Sequence, residues 1–110
     1  EIIIVDNYAN KELFDILKNI NKKIYFISKN LDNILINKYS KQYSNVTFIN
    51  NDLFHDRYII LDRKTVYVSG MSLKDLGKKY SYMYKMNEKI FINDLVSRIE
   101  ILLWSMRYIM

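Results

Sequence analysis

The first half of the chain alternates short apolar runs with segments in which apolar residues recur at helical spacing. The runs at residues 2–5, 24–27 and 46–49 are rich in β-branched and aromatic residues, and they predict three buried strands. Apolar residues three and four positions apart predict a helix after each of the first two runs: Leu13, Ile16, Leu17 and Ile20, then Leu31, Ile34, Leu35 and Tyr39. This strand-helix-strand-helix-strand order is typical of a parallel α/β sheet with right-handed crossovers.

The second half of the chain begins with a different pattern. Residues 58–61 and 65–68 predict two strands of an antiparallel hairpin, joined by a three-residue turn. A short helical turn is expected at residues 72–76, with Gly77 as its C-cap. One more strand is expected at residues 82–84. The two halves together predict an α/β fold with a mixed, mostly parallel sheet and flanking helices.

A long apolar stripe predicts the final helix over residues 92–106, with Asn93 and Asp94 near its start. Three aromatic residues lie partly off that stripe: Phe91, Trp104 and Tyr108. They are expected either to pack against another segment or a second subunit, or to belong to a wide core face.

Composition narrows the class of protein. The chain has 110 residues, half of them hydrophobic, with two glycines and no proline, which predicts one globular domain over residues 1–110. The absence of cysteine excludes disulfides, thiolate metal sites and a cysteine nucleophile, and it is compatible with a cytoplasmic location. No apolar run approaches the roughly 18 residues that span a membrane. Because the first residue is Glu1, we expect the chain to be part of a longer protein. We expect no cofactor.

The net charge is +5 and the sequence pI is about 9.3. Moderate basicity favours anionic partners such as nucleic acid or an acidic membrane surface. Many soluble domains carry a similar charge without a polyanionic partner, so both interpretations stay open.

Chemistry is concentrated around the only histidine of the chain, His55. His55 and Arg57 are two residues apart in a predicted strand, so they are expected to point to the same side of the sheet. Asp62 ends that strand, and the next strand leads into Ser69 and Gly70. A cation beside small hydrogen-bonding residues suits a phosphate, and a neutral imidazole can attack phosphorus.

These residues resemble the phospholipase D superfamily, whose pattern is His-x-Lys-x4-Asp followed by Gly-Ser or Gly-Gly and then Asn. His55 and Asp62 match the pattern, whereas Arg57 stands in place of lysine and Ser72 where asparagine is common. Together with Asp6-Asn7-Tyr8 and residues 72–77, they look like a prokaryotic subgroup found beside DNA-binding or phage-type modules. A His-Asp-Arg variant also occurs in the C-terminal domain of MIT-containing eukaryotic proteins, which resembles a non-catalytic membrane-lipid binder.

The resemblance implies a phospholipase D-like half domain and a metal-independent phosphodiesterase or nuclease. In that family one histidine attacks the phosphodiester and a second, from another motif copy, protonates the leaving group. Carried over, His55 is nucleophile or general acid and Asp62 is its supporting carboxylate. The phosphate ligands are Arg57, Ser69, Gly70, Ser72 and Lys74. Because the chain has one histidine, catalysis needs a homodimer or a second motif elsewhere.

Alternative interpretations remain for several of these features. The domain could be a catalytically inactive module that binds protein or acidic membrane lipid, or a regulatory domain without a ligand. Asp6 either faces a ligand or caps its loop. Lys74, Lys78 and Lys79 either form a basic rim or lie on a solvated turn. The tyrosines Tyr80, Tyr82 and Tyr84 either stack bases or pack within the protein.

Overall fold

Strands and helices alternate through the first half of the chain, and three further strands precede a long final helix. The computed structural model describes residues 1–7, 11–70 and 83–109. Its elements, in chain order, are β1 (Ile2–Val5), α1 (Lys11–Leu17), β2 (Ile24–Ser28), α2 (Asn33–Gln42), β3 (Val46–Asn50), β4 (Arg57–Leu61), β5 (Thr65–Ser69), β6 (Met83–Lys85) and α3 (Lys89–Ile109). The expected turn at 72–76 and its cap Gly77 lie outside the described residues.

The six strands form one mixed sheet in the order β3-β2-β1-β4-β5-β6. The β1–β2 and β2–β3 pairs are parallel, as expected from the helical crossovers between them. The β1–β4, β4–β5 and β5–β6 pairs are antiparallel. The prediction of an α/β domain is confirmed. The prediction of a mostly parallel sheet is wrong, because β4 pairs with β1 and brings the hairpin into the same sheet in the antiparallel sense.

Helices cover both faces of the sheet. On one face, α1 and α2 pack against alternate strand residues such as Ile4 and Phe26. On the other face, α3 contributes Leu95, Val96, Ile99 and Leu103 to a second core. The strand residues of this second core include Ile3, Val5, Tyr25, Ile27, Ile49, Ile60, Val66 and Val68. The central strands are therefore buried on both sides, which explains why the sequence of β1 and β2 is continuously apolar rather than alternating.

Local signals explain where several elements begin and turn. Asp32 caps α2, since its Oδ1 accepts hydrogen bonds from the backbone N–H groups of Ile34 (2.9 Å) and Leu35 (3.4 Å). In the turn between β4 and β5, Asp62 and Arg63 have φ of 52° and 58°, the left-handed pair that a type I′ turn requires.

Helix α3 starts at Lys89, earlier than the predicted position 92. Asn93 and Asp94 therefore lie inside the helix rather than at its start, and Asp94 accepts a hydrogen bond from Arg98 Nε at 2.9 Å. Ile90, Phe91, Ile101 and Trp104 of this helix are all largely exposed. No helix in the described ranges combines the length and the hydropathy needed to cross a bilayer.

Candidate functional site

Four of the residues predicted to bind phosphate or react with it lie at one edge of the sheet. Arg57 is the first residue of β4 and pairs with Ser69, the last residue of β5. Gly70 follows directly, and His55 lies two residues before β4. This is the edge at which β1, β2 and β3 end, where α/β proteins commonly bind ligands. We call it the strand-end site, formed by His55, Arg57, Ser69 and Gly70.

The structure corrects the expectation that His55 belongs to the strand. β4 begins at Arg57, and Asp56 lies in a bend, so strand alternation does not set the direction of His55. His55 is exposed. The reason is a long-range contact: Asn7 Nδ2 donates to the carbonyl oxygen of Phe54 at 2.7 Å, which ties the loop before β4 to the end of β1.

His55 lies between two anchored residues. Phe54 is buried in the core on the α3 side of the sheet, and its carbonyl is held by the buried Asn7. On the other side, Tyr58 Oη donates to Asp56 Oδ2 at 3.3 Å. Burial, followed by the negative charge of Asp56, raises the pKa of Tyr58 to about 12, which keeps this hydroxyl a donor. The loop therefore presents the imidazole to solvent from a fixed backbone.

Asp62 lies at the opposite end of β4. Since a strand rises about 3.4 Å per residue, Asp62 is roughly 17 Å from Arg57 along the sheet. Its carboxylate is exposed and accepts a hydrogen bond from the amino group of Glu1 at 2.9 Å. The structure therefore does not bring Asp62 to His55 within one chain, and we assign it no role in the strand-end site.

Two further predicted phosphate ligands, Ser72 and Lys74, lie outside the described residues. The same is true of the basic pair Lys78 and Lys79 and of two of the three alternating tyrosines, Tyr80 and Tyr82. The third, Tyr84, is an exposed residue of β6, the edge strand of the sheet.

A polar row crosses the sheet at the strand-end site. Val5 pairs with both Ile27 and Tyr58, so the next position along β1 places Asp6 between Ser28 and Arg57. The ladder continues through Asp6, whose backbone N–H donates to the carbonyl oxygen of Ile27 at 3.0 Å. Ser28 in turn pairs with Asn50. With strands about 4.8 Å apart, the row from Asn50 through Ser28, Asp6 and Arg57 to Ser69 spans roughly 19 Å.

Strand alternation places the whole row on one face of the sheet. Residues two positions apart on a strand point to the same face of the sheet. Two positions inward along the strand from Asp6, Ser28, Asn50 and Arg57 lie residues of the core covered by α1 and α2: Ile4, Phe26, Phe48 and Ile59. On β5, Val66 and Val68 belong to the opposite core, which places Ser69 on the same face as the rest of the row. The row is therefore a continuous line of polar residues at the end of an apolar face.

Burial differs along the row. Asp6 and Ser28 are fully buried, Ser69 is buried, Arg57 is half-buried and Asn50 is exposed. Within the ranges that the structure describes, Ser28 Oγ has no hydrogen-bond partner. With its amide oriented to suit its neighbours, Asn50 Nδ2 donates to the carbonyl oxygens of Lys29 (2.9 Å) and Ser28 (3.1 Å).

Asp6 and Arg57 place opposite charges on neighbouring strands. Side chains at directly opposed positions of an antiparallel pair have Cβ atoms about 5 Å apart, within reach of a carboxylate and a guanidinium. A buried carboxylate is costly unless a cation or donors compensate it. Asp6 is therefore suited to hold the Arg57 guanidinium at the sheet edge, where it can neutralise a bound anion.

The sequence carried a signal for this row that motif matching missed. Ser28 and Asn50 are the polar residues that end apolar strand runs, as Asp6 does, and parallel strands bring such ends to one edge. Of these three residues, the sequence pattern indicated a role only for Asp6, which was expected either to face a ligand or to cap its loop. Among the described residues there is no cluster of three or more His, Asp or Glu side chains that could hold a metal ion.

Comparison of the chain with protein-family models, with curated proteins and with solved structures gave no match. The phospholipase D-like resemblance therefore stays a prediction from the sequence.

Proposed function

We propose that this domain binds phosphate or phosphodiester groups at the strand-end site, in the manner of a phospholipase D-like half domain. The observation that supports the proposal is that Arg57 pairs with Ser69 at the edge where the parallel strands end, with His55 two residues before Arg57. Arg57 is the cationic ligand, and a guanidinium can engage two phosphate oxygens at once. Ser69 and the backbone at Gly70 are placed to donate hydrogen bonds to the same group.

In the catalytic form of the proposal, His55 is the nucleophile. A neutral imidazole nitrogen forms a bond to phosphorus, and the bond from phosphorus to the leaving oxygen breaks. The leaving oxygen takes a proton from a second histidine, and water then hydrolyses the phosphohistidine. Because this chain has a single histidine, the second must come from another copy of the domain or from another motif. The exposure of His55 leaves it free to meet such a partner.

Binding is tested with a short single-stranded DNA oligonucleotide. Replacing Arg57 with Gln is expected to weaken binding by about ten- to a hundredfold, the range for losing a charge-assisted contact to phosphate. Arg98→Gln is the matched control, since Arg98 is an exposed arginine of α3 on the other face of the sheet. Equal affinities for the two variants would refute the assignment of Arg57.

Catalysis is tested separately, with DNA and RNA substrates in the presence of EDTA. The proposal expects cleavage by the unmodified protein and its loss in His55→Ala, with Arg98→Gln as an active control. If His55→Ala and the unmodified protein give the same background, the domain is not a nuclease of this type. Binding by Arg57 would remain testable by its own experiment.

A second candidate function is a catalytically inactive module that binds protein or acidic membrane lipid. The exposed apolar side chains of α3 favour it, because Ile90, Ile101 and Trp104 are 81%, 67% and 59% exposed. Flotation with liposomes that contain or lack acidic lipid tests the lipid form. It expects co-flotation that falls in Trp104→Ala, and no co-flotation at low salt would refute it.

A further inference from the structure

Helices α1 and α2 leave a groove between them that shares no lining residue with the strand-end site. Its volume is about 440 Å³, and its lining includes Phe14, Lys18, Lys38, Tyr39, Lys41 and Tyr43. We call it the helix groove, defined by these six residues. Cavities of this size hold small ligands, mostly against apolar and aromatic walls with a few polar groups.

Aromatic rings form the wall of the helix groove. The Tyr39 and Tyr43 rings lie 4.7 Å apart with 34° between their planes, and the Phe14 ring lies 5.6 Å from Tyr39. Tyr43 is only half-buried, so part of its ring remains accessible. Such a wall suits a planar ring, which gains from stacking in addition to burial.

The hydroxyl of Tyr39 is a buried polar group beside this wall. Tyr39 is 8% exposed, and its Oη has no hydrogen-bond partner in the part of the chain that the structure describes. Burial, together with the nearby Tyr43 and Asp15, raises its pKa to about 12, so the hydroxyl stays protonated and remains a donor. A buried donor without a partner is unfavourable, and a ligand acceptor that reaches it removes that penalty.

Charges at the groove favour an anion. Among the residues described around the groove, Lys18, Lys38 and Lys41 are exposed cations, and one acidic residue, Asp15, accompanies them. Asp15 lies 4.0 Å from Lys18 Nζ, which leaves Lys38 and Lys41 as the cations available to a ligand. A lysine ammonium is a compact point charge that binds phosphate well.

We propose that the helix groove binds a nucleotide. The base stacks on the Tyr43 ring, uncovers the buried Tyr39 Oη as it enters the groove and accepts a hydrogen bond from it. The phosphates contact Lys38 and Lys41. The tilted pair of tyrosine rings, the buried hydroxyl and the lysines are three different features, and a planar base joined to phosphate is the ligand class that uses all of them. This site is independent of the phosphodiester binding proposed for Arg57.

Calorimetric titration with ADP, adenosine and pyrophosphate tests the assignment. ADP is expected to bind saturably and at least about tenfold more tightly than either fragment, since only ADP joins ring and phosphates. Tyr39→Phe is expected to weaken ADP about tenfold by removing one hydrogen bond, without lowering the unfolding midpoint of the free protein. Lys38→Gln combined with Lys41→Gln is expected to weaken ADP by a similar factor. Lys89→Gln, on α3 at the other face, is the matched control and is expected to leave affinity within about twofold.

Three results would overturn the proposal. Equal affinity for ADP and pyrophosphate would show that the ring contributes nothing. Unchanged ADP affinity in Tyr39→Phe would remove the hydroxyl from the site. Loss of ADP binding in Arg57→Gln, with Tyr39→Phe unaffected, would place the nucleotide at the strand-end site and would leave the function proposed there standing.

Discussion

Replacing Asn7 with Ala tests how the loop that carries His55 is held. Asn7 Nδ2 donates to the carbonyl oxygen of Phe54 at 2.7 Å, and Asn7 Oδ1 accepts from the backbone N–H of Lys29 at 3.2 Å. Asn7 is 8% exposed, so its loss leaves a buried carbonyl and a part-buried amide without these partners. One side chain therefore links the end of β1 to β2 and to the loop before β4.

The expected cost follows from these two bonds. A hydrogen bond contributes about 1 kcal/mol net, and a buried group left unpaired costs about 1–3 kcal/mol. We therefore expect Asn7→Ala to lower the free energy of unfolding by about 2–4 kcal/mol. In a chain of this size, that corresponds to a fall in Tm of roughly 9–17 °C.

Urea denaturation, monitored by circular dichroism, measures the change in the free energy of unfolding. Binding of the single-stranded oligonucleotide is measured separately, under native conditions. Asn19→Ala is the control, because Asn19 is an exposed asparagine between α1 and β2, and it is expected to stay within about 0.5 kcal/mol. Asn7→Asp keeps the acceptor for Lys29 but places a buried carboxylate oxygen against the carbonyl oxygen of Phe54, and it is expected to be at least as destabilised as Asn7→Ala at pH 7. If Asn7→Ala unfolds at the same urea concentration as the unmodified protein, the side chain does not hold the loop and the reasoning fails.

Three further predictions concern stability, each measured by urea denaturation. The Arg63 guanidinium donates to both Glu1 carboxylate oxygens at 2.8 and 3.0 Å and holds the pKa of Glu1 below its ordinary 4.5. Arg63→Gln should therefore cost about 1 kcal/mol at pH 7, and this cost should shrink as the pH falls below 4.5 and Glu1 takes up a proton. A cost independent of pH would contradict the pairing. Asp32→Ala removes the N-cap of α2 and should cost about 1 kcal/mol, whereas no change in either stability or helix content would refute the cap. Ile99→Ala opens a cavity at a fully buried position of α3 and should cost about 2–5 kcal/mol, and a loss below about 1 kcal/mol would mean that α3 is not packed on the sheet as described.

The sequence predicted best where burial on both faces of the sheet left a strong pattern. The apolar and β-branched runs of β1 to β5 predicted five strands at nearly the observed positions. Pairing was predicted less well. Nothing local to residues 58–61 shows that β4 lies beside β1, so the shift from parallel to antiparallel pairing at that position could not be foreseen.

For the site, spacing along the chain was reliable only within a strand. The hairpin predicted from residues 58–61 and 65–68 is confirmed, and its register brings Arg57 next to Ser69. Spacing placed His55 in the strand, whereas a contact between residues 47 positions apart, Asn7 and Phe54, keeps it in a loop. Asp62 was grouped with His55 by motif spacing alone, although a five-residue strand separates them.

The most direct measurement of the central claim is the salt dependence of oligonucleotide binding by the unmodified protein, Arg57→Gln and Arg98→Gln. Each phosphate contact that is lost lowers the slope of log K against log salt concentration by about 0.7 for a single strand. If Arg57 holds a phosphate at the strand-end site, Arg57→Gln has both a lower affinity and a slope smaller by about that amount, while Arg98→Gln matches the unmodified protein. A slope and an affinity unchanged by Arg57→Gln would contradict a phosphate site at this edge of the sheet.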